Sequence, residues 1–526
     1  MTTDGRAEPD PRSRRRFLAG AGALLAAPLL TGAGWRTLGR GPRPSAAPHG
    51  SGLFTLGVAS GDPVHNGVVL WTRLAPDPLA GGGMPPADVP VRWEVATDDA
   101  FRHVVRRGTA TASPEHAHSV HVDVVGLRPD AWYHYRFIAE GEESPVGRAR
   151  TAPPPGRGDR LRFLFASCQN WEQGFWPAWG HAATEDADLV VHLGDYIYEG
   201  GRSSTALRPH DGPEVTTLEA YRNRYALYKG DPALQAAHAA CPFVVTWDDH
   251  ETENNYAGLV PENPAEAAEF ATRRAAAYKA WWEHQPVRMP APTGPDLRIH
   301  RTVDWGRLVR FHVLDGRQYR SDQPCGQDSD LGPSCAERTA PDRTMLGAEQ
   351  EAWLGDSLRR SHARWDVLAN QVIMTSMPLA GALYNLDQWG GYAAARTRLF
   401  DQLRAARVEN PVVITGDIHA GGVADLVDEL PDGTPSTEAV GTELVGTSIS
   451  SRFPEDLAPV AEQLIGDLAH VRWVDVRHRG YTRCDVDRDH LVAAYRQVAS
   501  VESPESPIST GATFTITSGI PGAEQS

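Results

Sequence analysis

The sequence predicts an α/β protein in two parts, a small β-sandwich followed by a larger domain in which strands alternate with helices. Three observations support that division. Residues 48–152 alternate apolar and polar side chains without a helical period, and clusters of Gly, Pro and Asp interrupt them at short intervals. Thr151-Ala-Pro-Pro-Pro-Gly-Arg-Gly is a stiff segment that places a linker at 153–159. From 160 to 503, short apolar runs alternate with segments of helical period, the pattern of a buried sheet with helices on its faces. A leader at 1–47 and a tail at 504–526 complete the layout.

The leader is a targeting segment. Ser13-Arg-Arg-Arg-Phe-Leu18 carries a twin-arginine signature, and the Ala/Gly/Leu stretch that follows is too short for a membrane span. It predicts a partnership with the twin-arginine export machinery and a secreted or cell-envelope location. Cleavage falls after Ala33 or nearer Ala47. No transmembrane segment is expected in the mature chain, and a monomer is expected. The 526 residues suit two domains plus this leader, and 41% hydrophobic residues with 15 Trp can bury a large core. A net charge of −16 argues against a nonspecific binder of nucleic acid or anionic membrane.

In the first part, strands are expected at Phe54-Thr-Leu-Gly-Val-Ala, Val68-Val-Leu-Trp-Thr-Arg, Val91-Arg-Trp-Glu-Val, Ser119-Val-His-Val-Asp-Val and Trp132-Tyr-His-Tyr-Arg-Phe. Leu127-Arg-Pro-Asp-Ala-Trp-Tyr resembles the strand-entry turn of fibronectin-type modules. His116, His118 and His121 lie close together, but such residues are more often surface or turn histidines than metal ligands. In the second part, helices are expected at 218–240, 264–283, 347–361 and 393–408, with strands at 308–314 and 367–374. Strands return from Thr442. The Ser/Pro/Gly/Thr-rich tail is expected to be loosely ordered.

Four apolar runs stop abruptly at functional side chains, as parallel strands do where open α/β sheets bind ligands. Leu161-Arg-Phe-Leu-Phe-Ala-Ser ends at Cys168, and Val190-Val-His-Leu-Gly ends at Asp195, with Tyr198 three residues on. Pro242-Phe-Val-Val-Thr-Trp runs into Asp248, Asp249, His250 and Glu251, and Pro411-Val-Val-Ile-Thr-Gly into Asp417 and His419. A carboxylate can share its two oxygens between two cations. Thiolate, phenolate and carboxylate together favour ferric iron over calcium or magnesium alone. Asp417 and His419, two apart in an extended segment, face one side. Either Asp248 or Asp249 serves as ligand while the other braces the loop, and His250 is a candidate proton donor. Taken singly, a cysteine at a strand end is usually a buried small hydrophobe and a tyrosine is usually core. Their coincidence points to one polymetallic site. Trp171, Phe175, Trp176 and Trp179 offer either an apolar rim or packing.

Five cysteines in an exported chain leave at least one unpaired. Cys325 and Cys335 suit a local disulfide. Cys241 and Cys484 either pair or stay as buried thiols, and Cys168 is the functional leftover.

The four strand ends, with Phe54-Thr-Leu-Gly-Val-Ala-Ser-Gly-Asp-Pro near the start, resemble the alkaline phosphatase D family of metallophosphoesterases from about Phe54 to about Val492. That resemblance implies an αββα metallophosphoesterase domain behind the sandwich, with Fe(III) and Ca2+ as cofactors. It places Cys168, Asp195 and Tyr198 on iron, Asp195 bridging to calcium, and Asp249, Asp417 and His419 completing the cluster. A late histidine ligand is implied as well, with His470 the better match and His478 nearer the Arg479-Gly-Tyr481 strand. The function implied is a secreted phosphoric ester hydrolase for phosphate scavenging, taking phosphate mono- or diesters and using a metal-bridging hydroxide, with Asp195 and His250 catalytic. The alternative keeps the chemistry and changes the substrate to phospholipid head groups or cell-wall phosphodiester polymers. A non-catalytic surface binding protein would have lost ligands, and the set here is intact apart from the unsettled late histidine.

Overall fold

Strand Leu161–Ala166 buries alternate side chains on opposite faces, because successive residues of a strand point opposite ways. Phe163 and Phe165 enter a core between two sheets, while Leu164 and Ala166 pack against helices. That alternation sets the architecture. The computed structural model describes residues 52–326, 331–379, 383–430 and 433–526, so the export segment and both cleavage positions lie outside the described residues.

Leu161–Ala166, Leu189–His192 and Phe243–Val245 run parallel in the middle of a ten-stranded sheet. Facing it is a seven-stranded sheet whose central strands, Val309–Val313, Trp365–Ala369 and Pro411–Thr415, are also parallel. Phe311, Val367, Val412 and Ile414 meet Phe163, Val191 and Val244 in the core between the sheets. Helices Pro177–Ala182, Leu218–Lys229, Pro232–Ala240 and Phe270–His284 cover the outer face of the first sheet, and Gly347–Arg359 and Ala393–Ala406 that of the second. The layer order is helix, sheet, sheet, helix. None of the described helices is long and apolar enough to cross a membrane.

The stretch expected to form one helix at 218–240 is two. Gly230 and Pro232 interrupt it, and Asp231 caps the second helix by accepting from the amides of Ala233 (2.9 Å) and Leu234 (3.3 Å). The expected helix at 264–283 begins instead as a short 3-10 turn, with the α-helix running Phe270–His284.

The N-terminal strands Val58–Val64, Gly67–Arg73 and Ser119–Val125 share a core with a five-stranded sheet built on Val89–Ala96 and Trp132–Ala139. This two-layer unit is not separate from the rest. Val58–Val64 pairs in parallel with Phe243–Val245, extending the ten-stranded sheet. The Pro/Gly segment is pinned as well: the Arg157 carbonyl accepts from the Arg307 amide (2.7 Å) and the Arg160 carbonyl from the Trp305 indole (3.1 Å). It carries the chain from one layer to another and is no free joint.

The tail also departs from expectation. Ile508–Thr517 pairs along its length with His490–Val498 and buries Ala512, Phe514 and Ile516 between the sheets. From Ala512 every second residue is apolar, and that period outweighs the Ser/Thr/Gly composition. Cys325 and Cys335 form the expected disulfide. Cys241 lies in the core under the helices and Cys484 in the core between the sheets, so each is a separate buried thiol.

Candidate metal centre

The parallel strands end on one side of the two sheets, and their ends converge. Cys168, Asp195, Asp417 and His419 all take left-handed backbone conformations, with φ of 57°, 55°, 66° and 58°. Such conformations are uncommon for residues with side chains, though Asp and His adopt them more readily than most, and here they turn each side chain at its strand end. Gly194 (φ 113°) and Gly416 make the convergence possible. A Cβ on Gly194 would meet the backbone and Cβ of Asp248, and one on Gly416 the Ser167 side chain.

Three donor groups result, each with ligand atoms within 4.8 Å of one another: Cys168, Asp195 and His419; Asp195, Asp249 and His250; Asp248, Asp249 and Asp417. Asp195 links the first to the second, and Asp249 the second to the third. Tyr198 belongs with the first, its hydroxyl 2.9 Å from Asp195 Oδ2, 3.2 Å from His419 Nε2 and 2.7 Å from Ser451 Oγ. Cys168, Asp195, Tyr198, Asp248 and Asp249 form a buried floor, while His250, Asp417 and His419 are half-buried at the mouth.

The donor set fits cations. Asp195 Oδ1 and Asp249 Oδ1 are buried with no hydrogen-bond partner among the described residues, a costly state for a carboxylate that a metal relieves. Burial pushes the Asp195 and Asp417 carboxyls well above the usual range, and the neighbouring carboxylates push them further. Burial and the charges of Asp195 and Asp417 likewise raise the Cys168 thiol. Bound cations reverse that balance by favouring the deprotonated ligands.

The two aspartates after Trp247 differ. Asp248 Oδ1 accepts from Arg317 Nε at 2.5 Å, whereas Asp249 Oδ2 accepts from the Asn255 amide (2.7 Å) and Oδ1 accepts no hydrogen bond, with Arg317 Nη2 3.6 Å away. His250 Nδ1 donates to Glu199 Oε2 (2.7 Å), and its ring lies 4.1 Å from the Tyr198 ring, centroid to centroid. Burial opposes its charge, but Glu199, Asp195 and Asp249 together hold its pKa well above the ordinary imidazole value. His419 is held low, at about 3, by burial and by the Arg479 charge.

The late histidine is not brought to the cluster. His470 stands before Val471–Asp475, which runs antiparallel to Gly421–Glu429 with Asp475 opposite Gly421. The site end of that strand is therefore Asp475, and His470 sits at the far end, its Nε2 2.9 Å from the Ser376 carbonyl. His478 is exposed and paired with Asp475 at 2.7 Å. Trp176 and Trp179 are core residues, and Trp171 and Phe175 flank the Arg208 guanidinium, 3.7 and 4.9 Å from the ring centroids, so these aromatics pack.

Two residues of the site, Arg317 and Gln388, were not singled out in the sequence, and Glu251 was named only as the end of its run. Arg317 is fully buried and pairs with Asp248 and Asp387, with Asp249 (3.6 Å) and Asp417 (3.5 Å) at the edge of contact. It follows strand Val309–Val313 in Leu314-Asp-Gly-Arg, a fifth strand end of the same kind as the other four. Glu251 accepts from the amides of Asp195 (3.0 Å), Tyr196 (2.5 Å) and Asp248 (2.8 Å) and so fixes two ligand turns at once. Gln388 donates to Asp417 Oδ2 at 2.6 Å from a loop with no signal of its own.

Residues 163–495 match the family model described as PhoD-like phosphatase, and residues 41–153 match that described as PhoD-like phosphatase, N-terminal domain. Over 516 residues the chain is 45% identical to alkaline phosphatase D of Bacillus subtilis (strain 168), covering 95% of this chain and 87% of that protein. The solved structure of PhoD aligns with a TM-score of 0.85 at 45% identity, over 90% of this chain and 92% of that one. The purple acid phosphatase PPD1 from yellow lupin (Lupinus luteus) seeds aligns with a TM-score of 0.55 over 90% and 75%, a likeness of fold at 13% identity.

Proposed function

This chain belongs to the PhoD-like phosphatase family and is a phosphoric ester hydrolase, and from that premise we propose that it is an exported metal-dependent phosphatase with diesterase capacity that scavenges phosphate. The observation that carries the reading is the chain of three donor groups joined through Asp195 and Asp249, each keeping a buried oxygen that accepts no hydrogen bond among the described residues. Cys168, Asp195, Tyr198 and His419 offer thiolate, phenolate, carboxylate and imidazole, a set suited to Fe(III). Asp248, Asp249 and Asp417 offer oxygen alone, which suits Ca2+. The chemistry such cations supply is Lewis-acid polarisation of phosphoryl oxygens and activation of water.

The protein's own groups do the rest. Glu251 and Arg317 hold the ligand-bearing turns in place. His250, oriented by Glu199 and reachable from the mouth, keeps a proton that it passes to the leaving alkoxide, a step worth roughly 10²–10⁴-fold in rate. The rest of the reading concerns delivery: the Arg14-Arg15 pair directs twin-arginine export, and the mature enzyme acts as a monomer outside the cytoplasm.

The test compares turnover of a phosphomonoester, a bis-ester and a lipid head-group ester by protein exported on its own signal, with elemental analysis of the same sample. Turnover of the first two with iron and calcium bound is expected. A preference for the head-group ester would shift the reading to a phospholipase D-like enzyme, and failure on all three would overturn it.

A further inference from the structure

A cavity of about 370 Å³ opens beside the metal centre without including any of its ligands. Its lining includes Arg452, Arg477, His478 and Arg479 against Glu455 and Glu502. Arg477 is held by Glu462 at 2.8 and 2.9 Å, and His478 by Asp475. The other two arginines are differently placed.

Arg479 is only 6% exposed, yet among the described residues no carboxylate forms an ion pair with it. Nη1 donates to the carbonyls of His478 (2.8 Å), His419 (3.2 Å) and Val476 (3.4 Å), Nη2 reaches only Val476 O (3.4 Å), and Nε has no partner. A buried guanidinium without an ion-paired carboxylate is expensive to maintain, and its planar fork of N–H donors suits a phosphate. Arg452 stands at the mouth of the same cavity with one loose contact, 3.6 Å to the exposed Glu502. Both arginines are tied to the metal centre through one residue: His419 Nδ1 lies 3.3 Å from Arg452 O, and its carbonyl accepts from Arg479.

We propose that Arg479 and Arg452 form an anion subsite that holds a second phosphate of the substrate while the first reacts at the metal centre. The inference rests on the phosphoesterase reading of that centre and narrows it. Substrates with phosphates in series, such as oligomeric phosphodiesters, engage both places at once. A substrate with one phosphate engages only the reacting position. Because the subsite is covalently fixed next to the centre, its contribution is paid back as selectivity between the two substrate kinds.

The experiment measures kcat/KM on a bis-ester with one phosphate and on a glycerol-phosphate oligomer, and reads their ratio in purified wild type and variants. Arg479→Gln and Arg452→Gln should each lower the oligomer-to-bis-ester ratio roughly tenfold, mainly through KM. Glu502→Gln, which frees Arg452, should raise it. Arg452 and Glu502 are partly exposed, so their variants test the idea even if Arg479→Gln fails to fold. A ratio unchanged in the Arg452 and Glu502 variants overturns the subsite, as does a parallel fall on both substrates, which would mean that the arginines only support His419. Weaker inhibition by inorganic phosphate with an unchanged ratio would assign the cavity to free phosphate and also overturn it. A wild type inert on both substrates would instead break the phosphoesterase reading.

Discussion

Two regions of the molecule carry clustered histidines and neighbouring donors, and only one of them is built for cations. Around residues 116–121 every imidazole already has a use. His116 Nδ1 meets Lys279 Nζ at 3.1 Å, His118 Nε2 the Ala87 carbonyl at 3.0 Å, and His121 Nε2 the Gln285 carbonyl at 2.9 Å. His121 also stacks on Trp282 with ring centroids 4.1 Å apart. At the strand ends, His419 and His250 face carboxylates that keep buried oxygens without partners. The first region satisfies its donors from its own fold, whereas the second leaves them convergent and short of positive charge. Proximity in sequence is therefore a poor guide to a metal site, and unsatisfied convergence is a good one.

The contrast is tested most severely at Asp195, which belongs to two donor groups. Asp195→Asn should lower kcat by more than about 10³-fold, about 4 kcal/mol of barrier, and deplete bound metal while the N-terminal layers stay folded. His118→Gln, measured alongside, should leave metal content and turnover unchanged. Near-normal turnover in the Asn variant would erase the distinction between the regions.

The next effect in size concerns His250. His250→Gln should cost about 10²-fold on substrates with a poor alkoxide leaving group and much less on a nitrophenyl ester, whose leaving group needs no proton. An equal loss on both would make His250 a ligand or a brace.

The identity of the first cation is read from colour. A phenolate and a thiolate on ferric iron give a visible charge-transfer band, which zinc and calcium cannot supply. Tyr198→Phe should shift or bleach that band while keeping the ring packed on His250, and Cys168→Ser should weaken iron retention. Colourless, iron-free wild type would overturn the iron assignment.

The smallest effect sharpens the other side of the comparison. Burial lowers the His121 imidazole to about 4 against an ordinary value near 6.5. The folded form thus prefers the neutral ring, and its stabilising share is present above pH about 6.5 and lost as pH falls toward 4. His121→Gln should flatten the stability-versus-pH slope across that window in denaturant titrations, with no change in bound metal. An unchanged slope would mean that another group titrates there.

Four strand ends were legible in the sequence because a strand that stops at a polar side chain is a local pattern. The apolar run fixes the strand, and its last residue fixes what stands at the sheet's edge. Cys168, Asp195, Asp417 and His419, with one of Asp248 and Asp249, could be named from that alone, and the Cys325–Cys335 bridge from its short spacing. The Ile508–Thr517 strand was equally local, but its Ser/Thr/Gly content hid a period of two.

Other features depend on which strands become neighbours, and no local pattern holds that information. Sheet order and antiparallel register place His470 at the wrong end of its strand and put Cys241 and Cys484 in different cores. The same topology carries Arg317 to the carboxylates and buries Arg479 beside His419 with no ion-paired carboxylate among the described residues. The residue types at the strand ends were written in the chain. Their distances, partners and unmet charges arise only when two sheets stack and bring ends far apart in sequence within a few ångströms.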